Sequence, residues 1–203
     1  MSESQVSTKI ITIPNILTFL RMALIPVFAI MLVYHKEGWA LAIFTIAGVS
    51  DGIDGFVARR FKQESELGTI IDPIADKLLM TTAFVMLTLP SVMGTARFLP
   101  VPFWVTATVI GRDVLIVTVA MSITIMTGFR DFKPSWLGKA STFVQVVAVI
   151  MILVAAVSPE LRGFYLPTVY TTVAAFAVFS GAHYIYWVAK LMREAEKQTP
   201  AAD

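Results

Sequence analysis

Six apolar segments, separated by short polar or Pro/Gly-containing breaks, constrain the fold of this chain more than any other feature. They cover residues 14–34, 39–61, 69–89, 102–127, 135–157 and 165–191. Each has roughly 20 residues or more, enough to cross a hydrocarbon core of about 30 Å as a helix. The alternating segments of about ten residues that form transmembrane strands are absent from the sequence. We therefore predict an all-α integral membrane protein with six transmembrane helices.

The composition supports a membrane protein and excludes several function classes. Hydrophobic residues make up 57% of the chain and charged residues 15%, whereas soluble domains are about half apolar and a quarter charged. A net charge of +2 is too small to indicate a nucleic-acid partner. Cysteine is absent, which excludes disulfides, thiolate metal sites and cysteine nucleophiles.

The ends of the chain are polar. Residues 1–13 lack the features of a cleaved signal peptide, so we expect the first apolar helix to be the insertion signal, preceded by a cytoplasmic segment with a short interfacial helix. We assign residues 14–191 to the membrane domain and 192–203 to a cytoplasmic tail. With the N-terminus inside, ten of the 16 Lys and Arg residues lie on the cytoplasmic side, three outside and three within the spans. This bias predicts cytoplasmic N- and C-termini. We expect the membrane to be a bacterial inner membrane, with the active site facing the cytoplasm.

Four carboxylates lie within the second and third apolar segments, at positions where a bilayer disfavours charge. They are Asp51, Asp54, Asp72 and Asp76. The rise of 1.5 Å per helical residue places all four at one depth in the cytoplasmic half of the membrane. Each unpaired Asp costs about 2.5–3.5 kcal/mol in a span, so four cost about 10–14 kcal/mol. The nearby Arg59 and Lys77 are too few to neutralise them.

Oxygen ligands without His or Cys suit hard divalent cations such as Mg²⁺, Mn²⁺ or Ca²⁺. Two such cations would form a clamp for phosphoryl oxygens. The alternative is a water-filled ion pathway, as in a divalent-cation transporter. The small residues Gly55, Ala58 and Gly68 either leave room for a ligand beside the carboxylates or serve helix packing. The outer halves of these helices, residues 41–46 and 81–89, are almost wholly apolar, which argues against a transport path.

The carboxylate segment resembles the signature of the CDP-alcohol phosphotransferases, D-x2-D-G-x2-A-R-x8-G-x3-D-x3-D, at every fixed position. The resemblance implies six transmembrane helices, with the motif on helices 2 and 3. It also implies transfer of a phosphatidyl or similar group from a CDP-linked donor, such as CDP-diacylglycerol, to an alcohol, with release of CMP. The same resemblance implies that the protein forms a homodimer and that membrane lipids surround it.

The resemblance also implies a role for each motif residue. The four aspartates, Asp51, Asp54, Asp72 and Asp76, would hold two divalent cations, Mg²⁺ or Mn²⁺, on the donor pyrophosphate. Asp76 would also be the base for the acceptor hydroxyl. The donor site would include Gly55, Ala58 and Gly68 around the cytidine, with Arg59 on the phosphates or nucleotide.

Segments at and around the motif indicate which alcohol is the acceptor. Residues 13–21, 72–77 and 135–139 resemble phosphatidylglycerophosphate synthases, whose acceptor is glycerol 3-phosphate. For the acceptor phosphate we therefore predict three cations, Arg112 first, then Lys139 and Arg21. The alternative for Lys139 and Arg21 is snorkelling to the headgroups, and for Arg112 an ion pair with the motif carboxylates or a neighbouring acid.

One departure favours a second acceptor. The sequence Gly111-Arg112-Asp113 and the pair His183-Tyr184 are more similar to cardiolipin synthases of the same family, which use phosphatidylglycerol. We expect Asp113 to be the partner of a buried cation rather than a metal ligand. Our first prediction is phosphatidylglycerophosphate synthesis, and cardiolipin synthesis is the alternative.

Overall fold

The computed structural model describes the backbone of residues 13–61, 66–94, 98–127 and 136–198. Side chains are described for residues 16–50, 71–94, 98–125, 136–190 and 192–193. The predicted interfacial helix before the first span lies outside the described residues. Outside the described side chains lie Asp51, Asp54, Gly55, Ala58, Arg59 and Gly68.

The chain is helical, and within the described ranges it contains no β-strand, as predicted. The helices are α1 (Ile13–Val33), α2 (Glu37–Phe61), α3 (Glu66–Thr88), the four-residue α4 (Pro90–Met93), α5 (Phe103–Thr127), α6 (Trp136–Val157) and α7 (Arg162–Gln198), with a 3-10 turn at Pro159–Leu161. Each predicted apolar segment coincides with one long helix.

Four regions in the described part of the chain are long and apolar enough to cross a membrane: Ile16–Val33, Phe103–Ile125, Trp136–Val157 and Pro159–Lys190. The apolar part of α2, Glu37–Ser50, is shorter. These helices support an integral membrane protein, and the count of six spans stays a prediction. Helix α7 continues through the predicted tail to Gln198. The continuation is rich in Lys, Arg, Glu and Gln, which have good helix propensity although they are polar.

The chain consists of two compact units. The first consists of Met1–Pro102 and Val149–Pro167. In it, α1 packs against α2 and α3. One face of α1 carries four buried residues, Thr18, Arg21, Phe28 and Leu32, because spacings of three, four and seven return to the same side of a helix. The Phe28 ring lies 5.7 Å from that of Phe44 on α2. The buried face of α1 is thus polar near its N-terminus and apolar beyond it.

Helix α3 has a matching face. Asp72 and Asp76 begin a stripe that continues through the buried Leu79, Ala83 and Leu87, since these positions are again three or four residues apart. Thr18 and Arg21 of α1 contact Asp72 and Asp76 of α3 in the same order along both helices, so the two helices run parallel. The polar ends of the two stripes therefore meet.

The second compact unit consists of Phe103–Ala148 and Thr168–Asp203. A buried cluster of Ile123 on α5 with Tyr184 and Val188 on α7 joins these two helices, and further apolar residues pack against it. Arg112 on α5 also contacts Ser180 on α7. Because the contacts advance along both helices together, α5 and α7 run parallel within this unit.

Candidate functional site

Two hydrogen bonds join α1 to the carboxylates of α3. The Thr18 hydroxyl donates to Asp72 Oδ1. One turn further along both helices, Arg21 Nη1 donates to Asp76 Oδ1 over 2.6 Å. The donors are three residues apart and the acceptors four, so each helix presents its pair on a single stripe. Both described motif carboxylates are therefore oriented by side chains of α1.

The Arg21–Asp76 pair is asymmetric in its exposure. The Arg21 side chain is 0% exposed, whereas that of Asp76 is 41% exposed. A buried guanidinium is stable only if it is paired and hydrogen-bonded, and this carboxylate supplies the opposite charge. Asp76 is accessible to a substrate in spite of the ion pair. The predicted role of Arg21 in binding an acceptor phosphate stays a prediction, and its observed contact is with the motif itself.

The described part of the motif has the chemistry of a site for hard cations. Asp72 and Asp76 offer carboxylate oxygens one helical turn apart, with no soft or imidazole ligand, which suits Mg²⁺ or Mn²⁺. Carboxylates that ligate metals in proteins usually accept hydrogen bonds from neighbouring groups. Here Thr18 and Arg21 donate such bonds to Asp72 and Asp76. Among the described side chains, no group of three or more His, Cys, Asp or Glu residues could hold a metal ion. Half of the predicted ligand set, Asp51 and Asp54, lies outside those side chains.

Arg112 lies in the second unit and is almost fully buried, with 8% of its surface exposed. Its Nη1 donates to Asp113 Oδ1 over 2.8 Å, which confirms the expectation that Asp113 pairs with a buried cation. Its Nη2 donates to Ser180 Oγ over 2.7 Å and to the Gly138 carbonyl over 3.5 Å. The longer Nε contact, 3.3 Å, also reaches Ser180 Oγ. The guanidinium therefore connects α5, α6 and α7 and uses four of its five N–H groups.

Lys139 follows Gly138, whose carbonyl accepts a hydrogen bond from Arg112. The side chain of Lys139 is exposed. Lys139 belongs to the first turn of α6, the turn whose Gly138 carbonyl accepts from Arg112 of α5. Gly181 adjoins the stem of Arg112, since a Cβ added there would lie 3.6 Å from Arg112 Cγ. Ser180 and Gly181 are small enough for the arginine to pack along α7.

Sequence reasoning did not identify Thr18 and Ser180 as partners of charged residues. Thr18 had a signal, because a polar residue three positions before Arg21 in an apolar helix shares its face. Ser180 had none, since a serine in an apolar helix commonly bonds to its own backbone. Only the packing of α7 against α5 identifies it.

Comparisons with known proteins agree with the residue pattern. Residues 11–190 match the model of the CDP-alcohol phosphatidyltransferase family. A protein of Mycobacterium tuberculosis with the provisional name cardiolipin synthase is 36% identical over 74% of this chain and 68% of its own length. The cardiolipin synthase (CMP-forming) of Streptomyces coelicolor is 33% identical over 76% of this chain and 71% of its own. The CDP-diacylglycerol–glycerol-3-phosphate 3-phosphatidyltransferase of Cereibacter sphaeroides is 34% identical over 75% and 67%.

Proposed function

Because this chain belongs to the CDP-alcohol phosphatidyltransferase family, we propose that it transfers a phosphatidyl group from CDP-diacylglycerol to the hydroxyl of a glycerol-containing acceptor and releases CMP. The observation that carries the proposal is the paired arrangement of Thr18 with Asp72 and of Arg21 with Asp76. Two carboxylates on one stripe, each held by a donor from another helix, are suited to a fixed cation site.

We assign two divalent cations, Mg²⁺ or Mn²⁺, to the four carboxylates Asp51, Asp54, Asp72 and Asp76. When bound, these ions supply positive charge that neutralises the donor pyrophosphate and the departing CMP. The support is the chemistry of the donor set and the hydrogen bonds that orient Asp72 and Asp76. Arg21 fixes the orientation of the Asp76 carboxylate and balances part of its charge in an apolar helix bundle.

In the proposed reaction, the acceptor hydroxyl attacks the donor phosphorus that carries diacylglycerol, and the bond from this phosphorus to the oxygen of CMP breaks. Asp76 accepts the proton of the attacking hydroxyl, a role that requires a carboxylate accessible to substrate. Its 41% exposure meets that requirement. The family motif assigns Gly55, Ala58 and Gly68 to the cytidine pocket and Arg59 to the donor phosphates or nucleotide.

Our first candidate acceptor is glycerol 3-phosphate, as in the relative from Cereibacter sphaeroides. The sequences around Arg21, Asp76 and Lys139 favour it. We assign Arg112, Lys139 and Arg21 to the acceptor phosphate. Arg112 on α5 donates to the Gly138 carbonyl of α6, and Lys139 is the next residue of α6.

The second candidate acceptor is phosphatidylglycerol, which would make the protein a cardiolipin synthase. The Arg112–Asp113 ion pair favours it, because the acid neutralises the buried guanidinium and leaves less net positive charge for a phosphomonoester dianion. Phosphatidylglycerol carries a phosphodiester with a single negative charge. Two of the three relatives described above bear the cardiolipin synthase name, at identities similar to that of the third.

We further propose six membrane-spanning helices in a bacterial inner membrane, with both termini and the site on the cytoplasmic side. The Lys and Arg distribution supports this orientation. A CDP-lipid substrate is consistent with it, since its acyl chains remain in the bilayer while its headgroup enters from the cytoplasm. Homodimerisation is proposed from family membership alone.

The experiment is a turnover assay with the full-length protein in detergent, CDP-diacylglycerol and Mg²⁺ or Mn²⁺. Glycerol 3-phosphate, phosphatidylglycerol, inositol phosphate and serine are supplied separately, and CMP and the product lipid are identified by mass spectrometry. We expect CMP with one of the two glycerol-containing acceptors. CMP formed only with inositol phosphate or serine, or with none of the four, would overturn the proposal.

A further inference from the structure

Helix α6 contains two buried polar side chains that the proposed mechanism does not use. Ser141 is 0% exposed and Gln145 is 1% exposed. Within the described part of the chain, neither the Ser141 hydroxyl nor either amide atom of Gln145 has a hydrogen-bond partner. Unpaired polar atoms are costly inside a protein, and more so in a helix that crosses a bilayer. Three such atoms on one helix therefore require an explanation.

Their position on α6 connects them to Arg112. Gly138, Ser141 and Gln145 are three, four and seven residues apart, so they lie on one face of the helix within an arc of about 60°. The carbonyl of Gly138 accepts a hydrogen bond from Arg112 Nη2. The face that carries Ser141 and Gln145 is therefore the face next to the guanidinium.

Distances along the helix are short enough for one small ligand. Ser141 lies about 4.5 Å beyond Gly138 along the axis, and Gln145 about 10.5 Å beyond it. Long side chains on a helix lean back toward its N-terminus, so the Gln145 amide covers the turn of Ser141 rather than the next one. By this geometry the unpaired hydroxyl and amide lie close to each other, about one helical turn beyond the Gly138 carbonyl.

The chemistry of these atoms selects a ligand group. A primary amide offers two N–H donors and a carbonyl acceptor, and a serine hydroxyl both donates and accepts. Together they match an uncharged hydroxyl, which needs one acceptor and one or two donors. Glycerol 3-phosphate and the headgroup of phosphatidylglycerol share such a group. Each has a secondary hydroxyl between the phosphate-bearing carbon and the primary hydroxyl that reacts.

We propose that Gln145 and Ser141 bind the non-reacting secondary hydroxyl of the acceptor glycerol, next to the cations of Arg112 and Lys139. This inference rests on the proposed function and adds the feature that distinguishes a glycerol from a simpler alcohol. A site built to hydrogen-bond a hydroxyl discriminates against the analogue that lacks it, because its polar groups are then left unpaired.

The test combines variants with acceptor analogues. Gln145→Met keeps the length of the side chain and removes its hydrogen bonds, and Ser141→Ala is the milder change. Each is assayed with glycerol 3-phosphate and with 3-hydroxypropyl phosphate, which keeps the reacting hydroxyl and lacks the secondary one. A parallel assay uses phosphatidylglycerol and its 3-hydroxypropyl analogue. The two assays together show whether the acceptor is the soluble phosphate or the lipid. Thr124→Val is the control, since its hydroxyl is bonded to the carbonyl of Ala120 on its own helix.

We expect Gln145→Met to raise KM for the natural acceptor about tenfold, as for the loss of one or two buried hydrogen bonds. KM for CDP-diacylglycerol should change less than twofold. The wild-type preference for the natural acceptor over its deoxy analogue should nearly disappear in this variant. The melting temperature in detergent should stay equal or rise, because the unpaired amide has been removed. Thr124→Val should behave as the wild type in every assay.

Two results would overturn the inference. If Gln145→Met keeps the full preference for the secondary hydroxyl, the amide does not bind it, whatever the stability. If the variant lowers the melting temperature and raises KM for donor and acceptor equally, the amide has a structural role, such as holding a buried water. In both cases wild-type turnover still supports the proposed function. Absence of wild-type turnover with every acceptor would instead refute the proposed function and, with it, the inference.

Discussion

Arg21 Nη1 lies 2.6 Å from Asp76 Oδ1, so the only described cation within α1 is bound to the carboxylate predicted to act as metal ligand and base. This contact differs from the predicted role of Arg21 at the acceptor phosphate. It also explains how a charged residue can be fully buried at the polar end of α1. The ion pair makes α1 a structural part of the carboxylate site rather than only a membrane anchor.

Removing the guanidinium of Arg21 should weaken metal binding. We expect Arg21→Gln to raise the dissociation constant for Mn²⁺ about 10- to 100-fold, the usual effect of losing a partner that orients a ligand. Titration of the free Mn²⁺ signal by electron paramagnetic resonance measures this without turnover. Arg162→Gln is the matched control, because Arg162 donates to the carbonyls of Ala155 and Ala156. Unchanged Mn²⁺ affinity in Arg21→Gln would refute the orienting role.

The same reasoning applies to the hydrogen bond from Thr18 to Asp72. Thr18→Val has nearly the shape of threonine and lacks the donor to Asp72, whereas Thr18→Ser retains it. We expect the valine variant to bind Mn²⁺ more weakly and the serine variant to resemble the wild type. Thr45→Val is the control, since that hydroxyl bonds to the carbonyl of Leu41 on its own helix. Equal losses in the valine and serine variants would show that packing, not the hydrogen bond, is responsible.

Arg112 should affect the acceptor more than the donor. We expect Arg112→Ala to raise KM for the acceptor at least tenfold more than KM for CDP-diacylglycerol. Because the substitution breaks the buried Arg112–Asp113 ion pair, the variant should also lose about 3–5 kcal/mol of stability. The double variant Arg112→Met/Asp113→Leu should recover most of the stability while the acceptor defect remains. Equal effects on both KM values would argue that Arg112 is only structural.

Chelation should abolish activity reversibly. Treatment with EDTA should stop CMP formation, and added Mg²⁺ or Mn²⁺ should restore it, because the proposed site consists of carboxylate oxygens. The comparison of interest is between EDTA-treated protein with and without the restored cation, at constant ionic strength. Full activity after exhaustive chelation would contradict the assignment of Asp72 and Asp76 as metal ligands.

The sequence predicted the helices well, for physical reasons. Long apolar segments with polar breaks have few alternatives to helices in a bilayer, so the helix positions agree with the structure to within a few residues except at the C-terminal end of α7. The stripe of Asp72 and Asp76 follows from helical periodicity alone. The pairing of Asp113 with Arg112 was predictable because a buried arginine needs an acid close by.

The remaining contacts depend on which helix faces another, and periodicity does not contain that information. Arg21 has two plausible environments, lipid headgroups or a neighbouring acid, and only the packing of α1 on α3 selects Asp76. Ser180 and Gln145 look like ordinary polar residues of apolar helices. Only the three-dimensional structure shows that Ser180 contacts Arg112 and that the Gln145 amide is buried without a hydrogen-bond partner.

The central claim, that this carboxylate site catalyses phosphatidyl transfer, is tested most directly by CMP release from CDP-diacylglycerol in wild type and Asp76→Asn. Asparagine can still accept the hydrogen bond of Arg21 but removes the charge that balances the buried guanidinium, so the variant should melt at a lower temperature. A cooperative melting transition in detergent, well above the assay temperature, checks that the variant is folded. Wild-type protein with a glycerol-containing acceptor should release CMP, and the folded Asp76→Asn variant should release essentially none. Wild-type rates of CMP release from the folded variant would contradict the account.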